Sequence, residues 1–473
     1  MRSIYITIIV TLMLFSCKKD NKEVAANYAY FGGEIINPYN NYIVLSKGDV
    51  VIDTIQLNAK NRFLYKIENL DPGLYTYHHG GEIQMVLLEP QDSLLLRLNT
   101  LEFDESLVYS GFGDKKNNYL IEEFLENEIQ EKKIFKLCQL EPNKYSNRVD
   151  SIKNAKLAKF DKFISKYDSS PLFEEIALAN INYNYYSSKE VYPFVHYGQN
   201  KWEILKSIPA SFYDYRKDID YNNALFKDYY YYNRFINHNV NNIALSEHMS
   251  HEANKQFDRA SICYSLDRLN IIDSLITNQT LKDDLLYNFT LNFLSRSTDE
   301  NNNNTILKSF IKKSKNEADK AAINNYVASL NNLKQGNLLP EIQIVDYKNN
   351  VFSLNSLIKK PTVISFWSHA YLDHFKDSHR KINELKIKYP DVNFIMINID
   401  DNDILKIKNA LKINNISLQN EYAFKDPDKS VVTLAVRPMT KTIIVDRHQK
   451  IVNSNSNMFT SNFEEQLLGA INR

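Results

Sequence analysis

The chain has 473 residues, a prior of about three domains, and 57 basic against 57 acidic side chains leave a formal net charge of zero. With no whole-molecule field to recruit a polyanion, nucleic acid is not expected as a partner; a 44% hydrophobic fraction rules out wholesale disorder, and a mean hydropathy of −0.42 argues against a multi-span membrane protein. Three cysteines cannot assemble a disulfide framework or a four-cysteine zinc site, and neither a metal nor a cofactor is expected.

Residues 1–17 have a short positive start and an apolar run too brief to span a bilayer comfortably, and they read as a secretion signal. The run ends in Leu14-Phe15-Ser16-Cys17, which resembles a bacterial lipobox. That resemblance implies a lipid on Cys17, making it a membrane anchor and not a redox group. A polar tether follows over 18–27, beginning Lys18-Lys19-Asp20. No acidic residue directly follows Cys17, which favours sorting to the outer membrane. The charged stretch resembles the surface-export signal of Bacteroidota-type lipoproteins, so the periplasmic face and the cell surface both stay open.

Over 28–112 short runs alternate apolar and polar residues, as in Arg62–Ile67 and Ser93–Leu98, punctuated by turns such as Asp71-Pro72-Gly73. Regularly spaced strands of this kind predict an antiparallel β-sandwich. The order Gly33-Glu34-Ile35-Ile36, Pro72-Gly73-Leu74-Tyr75 and Leu88-Glu89-Pro90-Gln91-Asp92 resembles an uncharacterised sandwich domain that precedes thioredoxin-like domains in such lipoproteins. His78 and His79 are expected at the surface of a hairpin.

Over 113–335 the spacing turns helical, as in Asn118–Asn127 and Leu281–Leu294, and predicts an all-helical middle domain. Tyr183–Tyr186 and Tyr229–Tyr232 read chiefly as core aromatics, with capture of a sugar or a partner as the alternative. Asn301–Asn304 reads as a loop. Cys138 and Cys263 sit in helical patterns and are expected to be buried, inert thiols.

From 336 to 473 strands and helices alternate, the pattern of an α/β sheet covered on both faces. Strands are expected at Glu341–Val345, Thr362–Trp367, Asn393–Asp400 and Thr442–Asp446, and helices at Ser378–Tyr389 and Asp403–Leu411. The landmarks Leu339-Pro340-Glu341-Ile342, Pro361–Ser368, Ile399-Asp400 and Val436–Asp446 resemble, in order, the TlpA/ResA-type thioredoxin-like family over the last 135 residues. The fold class is therefore multidomain α+β: sandwich, helical domain and thioredoxin-like domain.

That family carries Cys-x-x-Cys at the head of a helix, and the matching positions here are Tyr371 and His374. A phenol forms no disulfide, so the dithiol mechanism is lost. Tyr371, Asp373 and His374, with His369 and His379, read as a chance cluster on an exposed loop, since His374 and His379 lack the spacing that brings two ligands together. Pro438 aligns with the family's cis-proline. The resemblance implies that the backbone N–H and C=O before it are unpaired and able to add an extended peptide, with Arg437 supplying a cation. Tyr371, His374, Arg437, Pro438 and Trp367 are the expected binding groove, and no catalytic residue is expected.

The function expected is an outer-membrane lipoprotein with a redox-inactive thioredoxin-like domain, acting as a binding or scaffolding module for envelope proteins or peptides. One alternative is a thiol–disulfide oxidoreductase or isomerase using Cys138 or Cys263. The other is a surface lipoprotein that captures glycans or peptides on its tyrosine-rich helices.

Overall fold

The computed structural model describes residues 27–471 apart from 199, 254–255, 370 and 401–403. The secretion signal, Cys17 and the tether as far as residue 26 lie outside the described residues. Among those described, no helix is long and apolar enough to cross a membrane. The chain falls into two compact units, one running to Glu126 and taking in Ser169–Phe173, the other formed by Asn127–Asp168 and everything from Glu174. The helical and α/β stretches thus share one unit.

The first unit is a two-sheet sandwich. One sheet has the order β4-β1-β7-β8, from Arg62–Glu68, Tyr28–Ile36, Ser93–Asn99 and Val108–Phe112. The other has the order β3-β2-β5-β6, from Val50–Gln56, Tyr42–Lys47, Gly73–His79 and Glu82–Leu88. Strand period sends Leu94, Leu96 and Leu98 inward, where they join Phe31, Tyr75 and Tyr77 in the core. The expected all-antiparallel pairing is corrected at β1 and β7, which run parallel with Tyr30 opposite Ser93. At Gly111, with φ of +101°, a Cβ would stand 2.0 Å from the Ser93 carbonyl oxygen, so only glycine allows β8 to close on β7.

His79 is not a surface residue. It shares the inward face of β5 with Tyr75 and Tyr77; its Nε2 accepts the Tyr39 N–H at 3.0 Å and its Nδ1 lies 2.9 Å from the Tyr42 carbonyl. Burial lowers its pKa, which keeps the ring neutral.

The second unit opens with helices. They are α1 (Asp114–Leu137), whose first half belongs to the first unit, α2 (Pro142–Lys166), α3 (Pro171–Val195), α4 (Lys201–Ser207), α5 (Tyr230–His251), α6 (Ile262–Leu275), α7 (Gln279–Leu294), α8 (Glu300–Lys313) and α9 (Glu317–Asn332). Side-chain caps start several of them: Ser261 for α6, Asn278 for α7, Asp299 for α8 and Asn316 for α9. Asn301–Asn304 is therefore no loop. Asp299 caps the Asn302 N–H at 2.8 Å, and Ile306 and Phe310 give this helix a buried stripe that outweighs asparagine's modest helix propensity.

Beyond Gly336 a seven-stranded sheet has the order β10-β9-β13-β12-β11-β14-β15. Its strands are β9 (Gln343–Val345), β10 (Val351–Ser353), β11 (Thr362–Trp367), β12 (Asn393–Asn398), β13 (Glu421–Phe424), β14 (Thr442–Val445) and β15 (Ile451–Ser456), with helices α10 (Leu372–Lys388), α11 (Ile404–Ile413), α12 (Pro427–Thr433) and α13 (Phe463–Ile471) between and after them. β11 pairs parallel with β12 and antiparallel with β14, and all six of its residues are buried, as a central strand covered on both faces requires. α10 starts six residues before the expected Ser378, with Tyr371 at its N-cap and Asp373 in its first turn.

Candidate functional site

Tyr371 and His374, two of the residues expected to form the groove, stand at the head of α10. The Tyr371 phenol is 60% exposed and points to solvent. His374, one turn into the helix, is half-buried against the Phe459 ring, with centroids 6.2 Å apart. Neither of its ring nitrogens makes a hydrogen bond, and burial lowers its pKa, so the ring is neutral. Trp367 does not face a groove. It is fully buried, its Nε1–H donates to Glu421 Oε2 at 3.1 Å, and its ring packs on Phe375 and His379. His379 Nε2 sits 3.2 Å from the other Glu421 oxygen. Burial raises the Glu421 pKa despite these partners.

His369 also has a specific partner. Asp400, just past β12, takes a 2.5 Å bond from Ser368 Oγ, the His369 N–H at 2.8 Å, Asn398 Nδ2 at 2.9 Å and the His369 ring. Burial pushes the Asp400 pKa up, but these donors more than offset it and hold the carboxyl below its ordinary value. Serine and histidine both bond the one carboxylate, and the knot ties β12 to the segment before α10.

The loop before β14 departs from expectation. The Arg437–Pro438 peptide is cis, yet the backbone groups expected to be free are engaged. Arg437 N–H donates to the Ala435 carbonyl at 2.8 Å, and the Tyr326 hydroxyl from α9 reaches the Arg437 carbonyl at 3.4 Å. Strand addition by a peptide at this point would first have to displace both. Lys441 braces the loop from below: its buried ammonium donates to the carbonyls of Leu434 and Ala435 at 3.0 and 2.8 Å, at the C-terminal end of α12.

What Arg437 and Pro438 do line is a cavity of about 1030 Å³, walled otherwise by α5, α6, α7 and the segments after α5 and α7. Four arginines border it, Arg259, Arg268, Arg296 and Arg437, against two carboxylates, Asp258 and Asp299. Both carboxylates are committed to local backbone, Asp258 to the Ala260 N–H and Asp299 to the Asn302 N–H. Among the described residues none of the four arginines has a carboxylate within 4 Å. Arg268 is 9% exposed; it donates to Ser265 at 2.9 Å and to Asn241 at 3.5 Å, while its Nε has no partner. Burial, and to a smaller degree the like charges of Arg259 and Arg296, lower its pKa. The cavity is thus an open cationic cleft in which Arg268 is buried and Arg259, Arg296 and Arg437 are exposed, with no counter-charge supplied among the described residues. The amides of Asn241, Asn288 and Asn292 on its wall add hydrogen-bonding groups for a polar ligand. Tyr371, His374 and Trp367 do not line it.

Neither described cysteine lines the cavity. Cys138 is buried beside Tyr145, and burial pushes its thiol up to about 11. Cys263 corrects the expectation of burial: it is half-exposed at the start of α6, though its thiol is also raised, by its partial burial and then by Asp267 and Glu252. Tyr183, Tyr229, Tyr231 and Tyr232 are buried, while Tyr230 is 53% exposed, so the tyrosine clusters serve mainly as core.

No family model matches the chain, and a search of curated proteins finds no match. Among solved structures it is similar to a Bacteroides vulgatus protein assigned as a thiol-disulfide oxidoreductase, with 18% identity over 29% of this chain and 98% of that one and a TM-score of 0.27. It is similar also to the thioredoxin domain of a thiol-disulfide oxidoreductase from Bacteroides vulgatus, with 18% identity, coverage of 30% and 96%, and a TM-score of 0.24. A third is a thiol:disulfide interchange protein from Bacteroides sp., with 22% identity, coverage of 25% and 79%, and a TM-score of 0.23. Each likeness takes in less than a third of this chain.

Proposed function

We propose that this chain is an outer-membrane lipoprotein, held by a lipid on Cys17, whose thioredoxin-like region is redox-inactive and which binds an acidic segment of an envelope protein or peptide where that region's Arg437 and Pro438 meet the helices. The observation that carries the binding reading is the cavity beside Pro438, where buried Arg268 and its arginine neighbours lack a counter-charge. A buried cation without a partner is costly, and a carboxylate from a ligand is what relieves it. Asparagine amides on the same wall suit the backbone of a short peptide, and the volume is that of a small-ligand site. Against thiol exchange stand Tyr371 and His374 at the head of α10 and two raised, distant-in-sequence thiols. The lipobox Leu14–Cys17 supports the anchor.

Calorimetric titration of the purified chain with a glutamate-rich peptide, and with its glutamine counterpart, tests the reading. Binding of the first and not the second, weakened by salt, is expected. Equal binding of both, or turnover in an insulin-reduction assay above background, sinks it.

A further inference from the structure

Helix α5 closes with His248 and His251 in its last turn, three residues apart and so on neighbouring positions of one face. Helix α6 packs against α5 and opens with Cys263 and, one turn on, Asp267. The four side chains meet. One ligand atom from each lies within 4.8 Å of every other. We propose that His248, His251, Cys263 and Asp267 hold one divalent transition-metal ion, zinc by the chemistry of the set.

A tetrahedral ion with bonds of about 2.0–2.3 Å sets its ligand atoms about 3.3–3.8 Å apart. Asp267 Oδ2 stands 3.3 Å from His248 Nδ1 and 3.2 Å from His251 Nε2; Cys263 Sγ is 3.9 Å from Nδ1 on the other side of the His251 ring, which turns to offer the ion a single nitrogen. Two further features point to an ion and not to a simple ion pair. His248 is 1% exposed, yet its Nδ1 makes no hydrogen bond although the Asp267 oxygen is near enough to accept one. That oxygen is engaged by the His251 ring at 3.2 Å, which leaves the buried His248 Nδ1 without the partner such an atom needs and free to take an ion. On its other side, His248 Nε2 lies 3.7 Å from Glu252 Oε2, a carboxylate that a small turn of the ring would bring into the outer position common for metal-bound histidines.

Nitrogen, sulfur and oxygen donors together suit zinc and not magnesium or calcium, which take oxygen shells. The rings of Tyr264 and Phe257 flank His248 with centroids at 5.8 and 6.5 Å, giving the site an apolar wall. His251 is exposed and Cys263 half-exposed, so an ion has a way in. Four protein ligands close the shell, which makes the role structural. The ion ties the end of α5 to the start of α6 and fixes both ends of the connection that carries Arg259. The site stands on its own geometry and does not depend on what fills the cavity.

The test uses the full chain, untagged and purified without chelator. Elemental analysis should find about one zinc per chain. Metal-free protein refilled with Co²⁺ should show the strong visible bands of tetrahedral cobalt and a sulfur-to-cobalt charge-transfer band. Cys263→Ser should remove the sulfur band, and Glu252→Gln should weaken zinc about 10- to 100-fold while keeping that band. Failure to take up either ion overturns the proposal, as does cobalt binding without a sulfur band or a sulfur band that survives Cys263→Ser.

Discussion

Replacing Arg268 by methionine should make the free protein slightly more stable while weakening its affinity for acidic ligands, the reverse of what truncating a buried residue usually does. A buried charge left without a partner costs about 3–5 kcal/mol. Against that relief stand the bonds that Arg268→Met loses. The 2.9 Å bond to Ser265 contributes about 1 kcal/mol and the 3.5 Å contact with Asn241 about half of that. The guanidinium also lies 4.8 Å from the Tyr264 ring centre and 5.2 Å from that of Phe289, about 1 kcal/mol together. Ser265 keeps its bond to the Ser261 carbonyl, so the variant leaves no orphaned hydroxyl. The balance is a gain of about 1 kcal/mol, read by urea denaturation at neutral pH. Binding should fall roughly 10- to 150-fold, the loss of a hydrogen bond to a charged group worth about 1.5–3 kcal/mol. A variant destabilised by more than about 1 kcal/mol that still binds the acidic peptide as the parent does would refute the whole account of the cavity.

Lys441 supplies a pH test. Burial lowers its pKa to about 7, far below the ordinary lysine value. Between that value and the ordinary one the unfolded chain holds a proton that the folded chain has released, so stability should rise with pH across this window, by up to about 1.4 kcal/mol per unit. The cost is fully present below pH 7. Lys441→Met should flatten that slope, and equal slopes for parent and variant between about pH 7.5 and 9.5 would show the ammonium to be retained. Trp367→Phe removes the donor to buried Glu421 and should cost about 2–4 kcal/mol in chemical denaturation, combining an unmet carboxylate and a cavity; a loss below about 1 kcal/mol would mean the Trp367–Glu421 bond is not made. Alkylation of the native, metal-free chain should modify Cys263 and spare Cys138, and added zinc should protect Cys263. Rapid labelling of Cys138 would contradict its burial.

Much of the local structure could be read along the chain. The alternation at Ser93–Asn99 and the unbroken apolar run at Thr362–Trp367 reflect which faces a strand buries, and both became strands with that burial. His79 is buried because strand period places it on the face of Tyr75 and Tyr77, although a histidine near a hairpin turn is commonly wet. Asn301–Asn304 is helical because the Asp299 cap and the Ile306 and Phe310 stripe outweigh its asparagine-rich composition.

That Tyr371 and His374 carry no thiols is a property of the sequence alone, since no folding can make a disulfide from a phenol and an imidazole. The arginine cavity and the four-ligand cluster were decided only by tertiary structure. Arg268 and Arg437 are 169 positions apart, and His248 and Cys263 sit on different helices; nothing in linear spacing says which faces of α5, α6 and α7 will turn toward one another. The same holds for the Arg437 carbonyl, occupied by a tyrosine from α9. Periodicity tells which side of an element is buried, but the identity of the residue waiting there is set by how the elements pack.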